Sequence, residues 1–260
     1  MANIVKKRRI SFFGHNLRNV SFNISLLRHL EFKNIPTNYK NSFLSFIFAG
    51  KIKFMKGSKG SETKALIREA AFKQFLTKDY SMVPLKDIEK SLNLSRGCMS
   101  YHYPTKQELF MDVIDQYIIR KQDVENKMRM STTLSLYEFI ELYIDRVQYT
   151  MDYLSQFVLP DANTNGTRAY MNLILQAEKF YPNFTKETTI ITQKELLLWE
   201  TVLKHAQKNG EIGEQHDCRK LAKQFKYIFF GQSYNDALEN GLNIPKLKEQ
   251  FLFIYGLIKV

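Results

Sequence analysis

The chain runs to 260 residues, 44% of them apolar, with a formal net charge of +12. That composition supports a packed core and excludes wholesale disorder, while eleven Gly and six Pro are few for a protein of many turns and strands. Its two cysteines, Cys98 and Cys218, imply no disulfide framework and suit a reducing cytoplasm, and no apolar run reaches membrane-spanning length.

The charge is uneven. Residues 1–54 hold ten Lys or Arg against one acid, residues 56–106 ten against five, and residues 107–260 eighteen against twenty. A basic front on a near-neutral back predicts that the front meets a polyanion. Residues 1–54 carry short apolar patches, Phe22–Leu30 and Phe43–Phe48, without a sustained period. They read as a basic DNA-binding arm, a surface helix pair, or translated sequence upstream of a start at Met55. The last is favoured, because Met55 opens a run like an ordinary basic N-terminus.

From Glu62 the pattern becomes orderly. Ile67, Ala71 and Phe75 recur every four residues, widened by Ala70 and Phe72, and predict an amphipathic helix. It should end near Asp79, a residue type that tolerates the left-handed conformation. Pro84 suits the first turn of a second helix, with Leu85, Ile88 and Leu92 as its apolar stripe. Asn93 can turn the chain, and Ser95 can cap a short third helix with Leu94, Met99 and Tyr103 facing inward. Thr105 and Glu108 read as a capping box that opens the next helix. Three helices with a tight turn between the second and third make a helix-turn-helix over 84–103.

Further helices are predicted over Leu109–Met128, Thr133–Val158, Thr167–Phe180, Lys186–Lys208, Asp217–Asn240 and Pro245–Ile258. The breaks carry Pro160, Asn165-Gly166, Pro182-Asn183, Asn209-Gly210 and Asn240-Gly241. The expected fold is all-α: a DNA-binding domain over 55–108, then a larger helical domain over 109–260 for effector binding and dimerisation.

A major groove about 12 Å wide accepts one helix, so the short third helix is the candidate reader. Its outward positions are Arg96, Gly97, Cys98, Ser100 and Tyr101. Arg96 can fork onto guanine or grip a phosphate, Gly97 lets the backbone come close, and Tyr101 offers a ring and a hydroxyl. Cys98 reads as a small residue in a tight position or as a redox-sensing thiol.

The segment TKALIREAAFKQFLTKDYSMVPLKDIEKSLNLSRGCMSYHYPTKQELF resembles the DNA-binding domain of the TetR (tetracycline-repressor) family. The resemblance rests on Ala70-Ala71, Phe75, Tyr80, Asp87-Ile88, Leu94 through Gly97, Tyr101-His102-Tyr103, Lys106 and Glu108-Leu109. It implies that His102, Lys106 and the Ser95 N–H hold the phosphate backbone, although His102 also reads as a solvated turn residue. Repression is the family's habit. Val83-Pro84, Ser100 and Pro104 depart from the family pattern, which removes one hydroxyl contact and points to an altered base preference.

A lone helix-turn-helix makes few contacts, so a homodimer on a palindromic duplex operator is expected. The last two helices should supply the interface through Leu221, Phe225, Ile228, Phe229 and Gly231, then Leu247, Phe251, Ile254, Tyr255 and Ile258. Tyr143, Tyr149, Tyr153, Phe157, Tyr170, Phe180 and Trp199 line a cavity for a small apolar or aromatic effector, or simply form core. No catalytic residue, metal site or cofactor is expected: His205, His216, Asp217 and Cys218 match no catalytic or zinc spacing. A membrane-surface or RNA-binding protein is the rival suggested by the basic front.

Overall fold

The computed structural model describes residues 59–120, 134–158 and 164–260, all within one compact unit, Gly57–Val260. The expectations for residues 1–54, and for the end of the helix drawn to Met128, lie outside the described residues. Among the described residues, nine α-helices follow in order: α1 (Lys59–Thr77), α2 (Leu85–Ser91), α3 (Arg96–His102), α4 (Lys106–Ile114), α5 (Leu136–Ser155), α6 (Gly166–Phe180), α7 (Phe184–Lys208), α8 (Cys218–Leu238) and α9 (Ile244–Ile258). The same residues hold no β-strand, only an isolated bridge between Ile212 and Lys259.

The helices begin where short polar side chains can take orphan N–H groups. Ser95 accepts from Cys98 N, Thr105 from Glu108 N, Asn165 from Arg168 N, Asp217 from Lys220 N and Asn243 from Lys246 N. Ser135 and Glu138 form a reciprocal capping box at α5. Gly210 and Gly241 take positive φ (71° and 96°) just past α7 and α8, where only a residue without Cβ turns without strain.

Two local expectations are corrected. Asp79 is extended, not left-handed, with φ −62°, because the chain next enters a 3₁₀ turn over Tyr80–Met82 that carries Tyr80 onto the core. Pro84 stands before α2, not within its first turn, at φ −76° and ψ 142°. Past Ile114, α4 widens into a π-turn over Asp115–Ile119.

The core has two aromatic centres. In the first, Ile67, Ala71, Phe72, Phe75 and Leu76 of α1 are at most 1% exposed and pack with Ile88, Met99, Tyr103 and the α4 residues Leu109, Phe110, Val113 and Ile114. Leu173 and Ala177 of α6 join the same cluster, so the front helices and the helical domain share one interior. In the second, Trp199 stacks on Phe225 at 4.6 Å and meets Phe139, Tyr143 and Phe251 at 4.8–5.7 Å. Offset and edge-on rings at these separations are favourable arrangements.

The last helices are corrected in phase. Phe225, Leu247, Phe251 and Ile258 face the chain's own interior at 0–5% exposure. The apolar residues left outside are Tyr227, Phe230, Tyr234 and Leu238 on α8, with Phe253 and Leu257 on α9, each 47–64% exposed. These helices are apolar on two faces, and the chain's own core claims the face that the sequence pattern first suggests for a partner.

Glu211, between α7 and α8, fastens the C-terminal end. Its carboxylate accepts from Leu136 N and Tyr137 N at the start of α5, at 2.8 and 3.1 Å, and its carbonyl accepts from Val260 N. Removing that anion leaves two helix-start N–H groups without their acceptor. Glu211→Ala should lower unfolding stability by about 1–2 kcal/mol, with urea denaturation as the check.

Candidate nucleic-acid interface

A seven-residue helix does not hold itself in water, so α3 needs external anchors. Asn93, at φ 53°, reverses the chain after α2, and Leu94 N bonds Glu89 O. Met99 is fully buried and Tyr103, just past α3, is 2% exposed. The Tyr103 hydroxyl donates to Asp112 Oδ2 at 2.5 Å, and Arg68 Nη1 donates to the same carboxylate at 3.2 and 3.3 Å. The end of α3 is thereby tied to α4 and α1 by one half-buried acid. Burial and that bond hold the Tyr103 phenol well above the usual tyrosine range.

With that anchoring, Ser95, Arg96, Gly97, Ser100 and Tyr101 stand exposed, Tyr101 at 82%. A Cβ added at Gly97 would meet nothing within 4 Å. Cys98 and His102 are half-buried, and the His102 ring meets Tyr101 edge-on at 5.1 Å. Lys64 of α1 places its amine 5.1 Å from the centre of the Tyr103 ring, bringing a cation near the end of α3.

Lys106 stands apart from this group. Its Nζ lies over the Tyr80 ring at 4.2 Å, and burial draws its pKa below the usual lysine value. Tyr80 in turn stacks on Phe180 of α6 at 4.3 Å, and its backbone N–H donates to Gln176 Oε1. Gln107 Nε2 donates to Phe180 O at 3.3 Å, and the Tyr181 hydroxyl donates to Asp115 Oδ1 at 2.7 Å. These contacts bind the front helices to α6. The sequence pattern misses them because the partners lie dozens of residues apart.

The seven aromatics named for a cavity divide. Tyr143 and Trp199 belong to the second core centre. Tyr153 and Phe157 pack on Phe72 of α1 at 6.4 and 5.4 Å, Tyr170 is half-buried beside the same cluster, and Phe180 is part of the Tyr80 junction. Tyr149 is 73% exposed, so it does not line the interior: the inward side of its part of α5 is taken by Val147 and Leu154.

Replacing Tyr103 by Phe removes the bond to Asp112 without removing the ring, and should cost about 1–2 kcal/mol. The folded protein keeps this phenol protonated well past a tyrosine's ordinary pKa of 10.0. Its stabilisation is therefore complete below that pH and is lost as the pH climbs from there through the raised folded value. Alkaline unfolding curves should show a shallower loss of stability above that pH in the Tyr103→Phe variant.

Residues 67–113 match the family model described as bacterial regulatory proteins, tetR family. No curated protein sequence matches significantly. The fold is similar to that of a putative transcriptional regulator from Saccharomonospora viridis in complex with choline, at 17% identity and TM-score 0.57, covering 77% of this chain and 99% of that one. It is similar to the regulatory protein TetR from Rhodobacter sphaeroides, at 17% and 0.54, covering 75% and 98%. A putative TetR-family regulator from Mesorhizobium loti stands at 13% and 0.58, covering 78% and 100%. Residues 67–113 thus match the DNA-binding segment of the tetR family of bacterial regulatory proteins, and the chain shares its fold with such regulators along nearly their whole length.

Proposed function

We propose that the chain is a ligand-responsive repressor that reads a palindromic operator as a homodimer, one α3 helix per half-site. The observation that carries this is the division of α3: Met99 and the following Tyr103 are sealed inside, while Arg96, Gly97, Ser100 and Tyr101 face solvent together. Arg96 forks onto guanine O6 and N7, Gly97 lets the helix backbone come close, and Tyr101 sets its ring on a thymine methyl. Ser100 gives a short polar contact, and Cys98 keeps the helix slim. The Ser95 N–H and His102 hold phosphates. Lys106 joins them when its amine leaves the Tyr80 ring.

The second copy docks on the outer face of α8 and α9. Tyr227, Phe230, Tyr234 and Leu238 lie at helical spacing around the open Gly231, and Phe253 and Leu257 flank the open Gly256. Paired with its symmetry mate, this face makes a four-helix bundle. The effector is a small molecule held among the helices behind the DNA-binding domain, and the choline complex of the similar regulator supports that use of the fold. As a reader of bacterial DNA, the protein works in the cytoplasm.

Selection from a random duplex pool with the full chain should yield an inverted repeat. On that site Arg96→Ala should cost about 1–3 kcal/mol and relax one base position in each half. Gly97→Ala should raise stability by up to about 1 kcal/mol, since its new methyl meets nothing, and should weaken operator binding. An unchanged base preference in Arg96→Ala contradicts the role given to α3. Tyr234→Glu should shift the protein to monomer by sedimentation and abolish operator binding at concentrations that saturate the parent chain.

A further inference from the structure

The inward face of α7 is closed at both ends and open in the middle. Phe184, Leu198 and Val202 are at most 3% exposed, whereas Thr188, Ile191 and Glu195 on the same face keep partial access to solvent. The stacked pair Trp199–Phe225 sets the register of α8 against α7, and one turn further Glu195 and Lys226 come within electrostatic reach. Lys226 Nζ is buried, and it has no hydrogen-bond partner among the described residues. The Phe230 ring lies 5.3 Å from it. Seven residues on, and so about 10 Å further along the same stripe of α8, the buried Ser233 Oγ is also without a partner among the described residues. Phe229 lies between them and meets Tyr143 of α5 edge-on at 5.8 Å.

A desolvated ammonium without an acceptor is costly, and native interiors leave few such groups unpaired. Burial draws the Lys226 pKa down and Glu195 only partly opposes it. This stretch of α7 and α8 thus presents a donor without an acceptor, the Phe229 ring and a second polar group further along.

We propose that an aromatic carboxylate binds between α7 and α8, its carboxylate accepting from Lys226 Nζ and its flat body lying along Phe229 towards Ser233. The proposal names the chemical class of the effector and rests on the ligand-responsive reading above.

The test is calorimetric titration of the full chain with naphthoate and with the uncharged naphthalenemethanol. Naphthoate should bind more tightly, and Lys226→Met should weaken it about ten- to a hundredfold while leaving naphthalenemethanol unchanged. Lys226→Arg should keep most of the naphthoate affinity. Circular dichroism melting checks that each variant folds. Should Lys226→Met not fold, Glu195→Gln supplies the second reading, since losing that neighbouring carboxylate should tighten naphthoate alone. No naphthoate binding, or naphthoate binding indifferent to both substitutions, overturns the proposal while leaving the DNA-binding reading intact. Lysine-dependent binding that leaves operator affinity unchanged upholds the site and overturns the effector role.

Discussion

The interface depends on the Asp112 carboxylate and what it holds. It takes the Tyr103 hydroxyl and the Arg68 guanidinium together, at 2.5 and 3.2 Å, on a helix whose neighbouring Leu109, Phe110 and Val113 are fully buried. A hydrogen bond to a charged acceptor is stronger than a neutral one and fixes direction as well as distance. Here it fixes the end of a helix too short to persist alone. Once Met99 and Tyr103 are pinned, the remaining side chains of α3 have one way to face. The outward set is thus a consequence of the inward one.

The front helices are also tied to the back of the molecule. α6 touches the DNA-binding helices through the Phe180–Tyr80 stack, the Gln176 side chain and the Gln107 contact to Phe180. The first core centre runs unbroken from α1 to α6. A densely packed interior transmits displacement, so on the proposed ligand-responsive reading a movement of α6 would reach α3 through these contacts. Lys106 sits at this junction, its amine over Tyr80 and its backbone opening α4.

Much of this was legible in the residues. The 3.6-residue period of α1, the Ser95 and Thr105 caps, the turn at Asn93 and the breaks at Gly210 and Gly241 are local signals, and local physics sets them. The start of α6 follows from Asn165-Gly166 in the same way, whereas the Asn243 cap of α9 emerges only from the structure. Phase was harder to read. α8 and α9 are apolar on both sides, and periodicity alone cannot tell the face that meets the chain's own core from the face left outside. Tyr149 fails for a related reason, since an aromatic ring at helical spacing carries no mark of which way its helix is turned. Glu211, Gln176 and the Arg68 contact of Asp112 were illegible because these polar groups acquire their roles from partners between 44 and 96 residues away.

On this account the exposed side of α3 lies against bases when the protein holds its operator. A photo-crosslinking amino acid placed at Tyr101 of the full chain tests this most directly, since that side chain is 82% exposed. Bound to its selected duplex, the protein should crosslink to bases within each half-site, and the adduct should vanish with competing operator. A tightly bound complex that gives crosslinks only from other surfaces, with none from this position, would contradict the account.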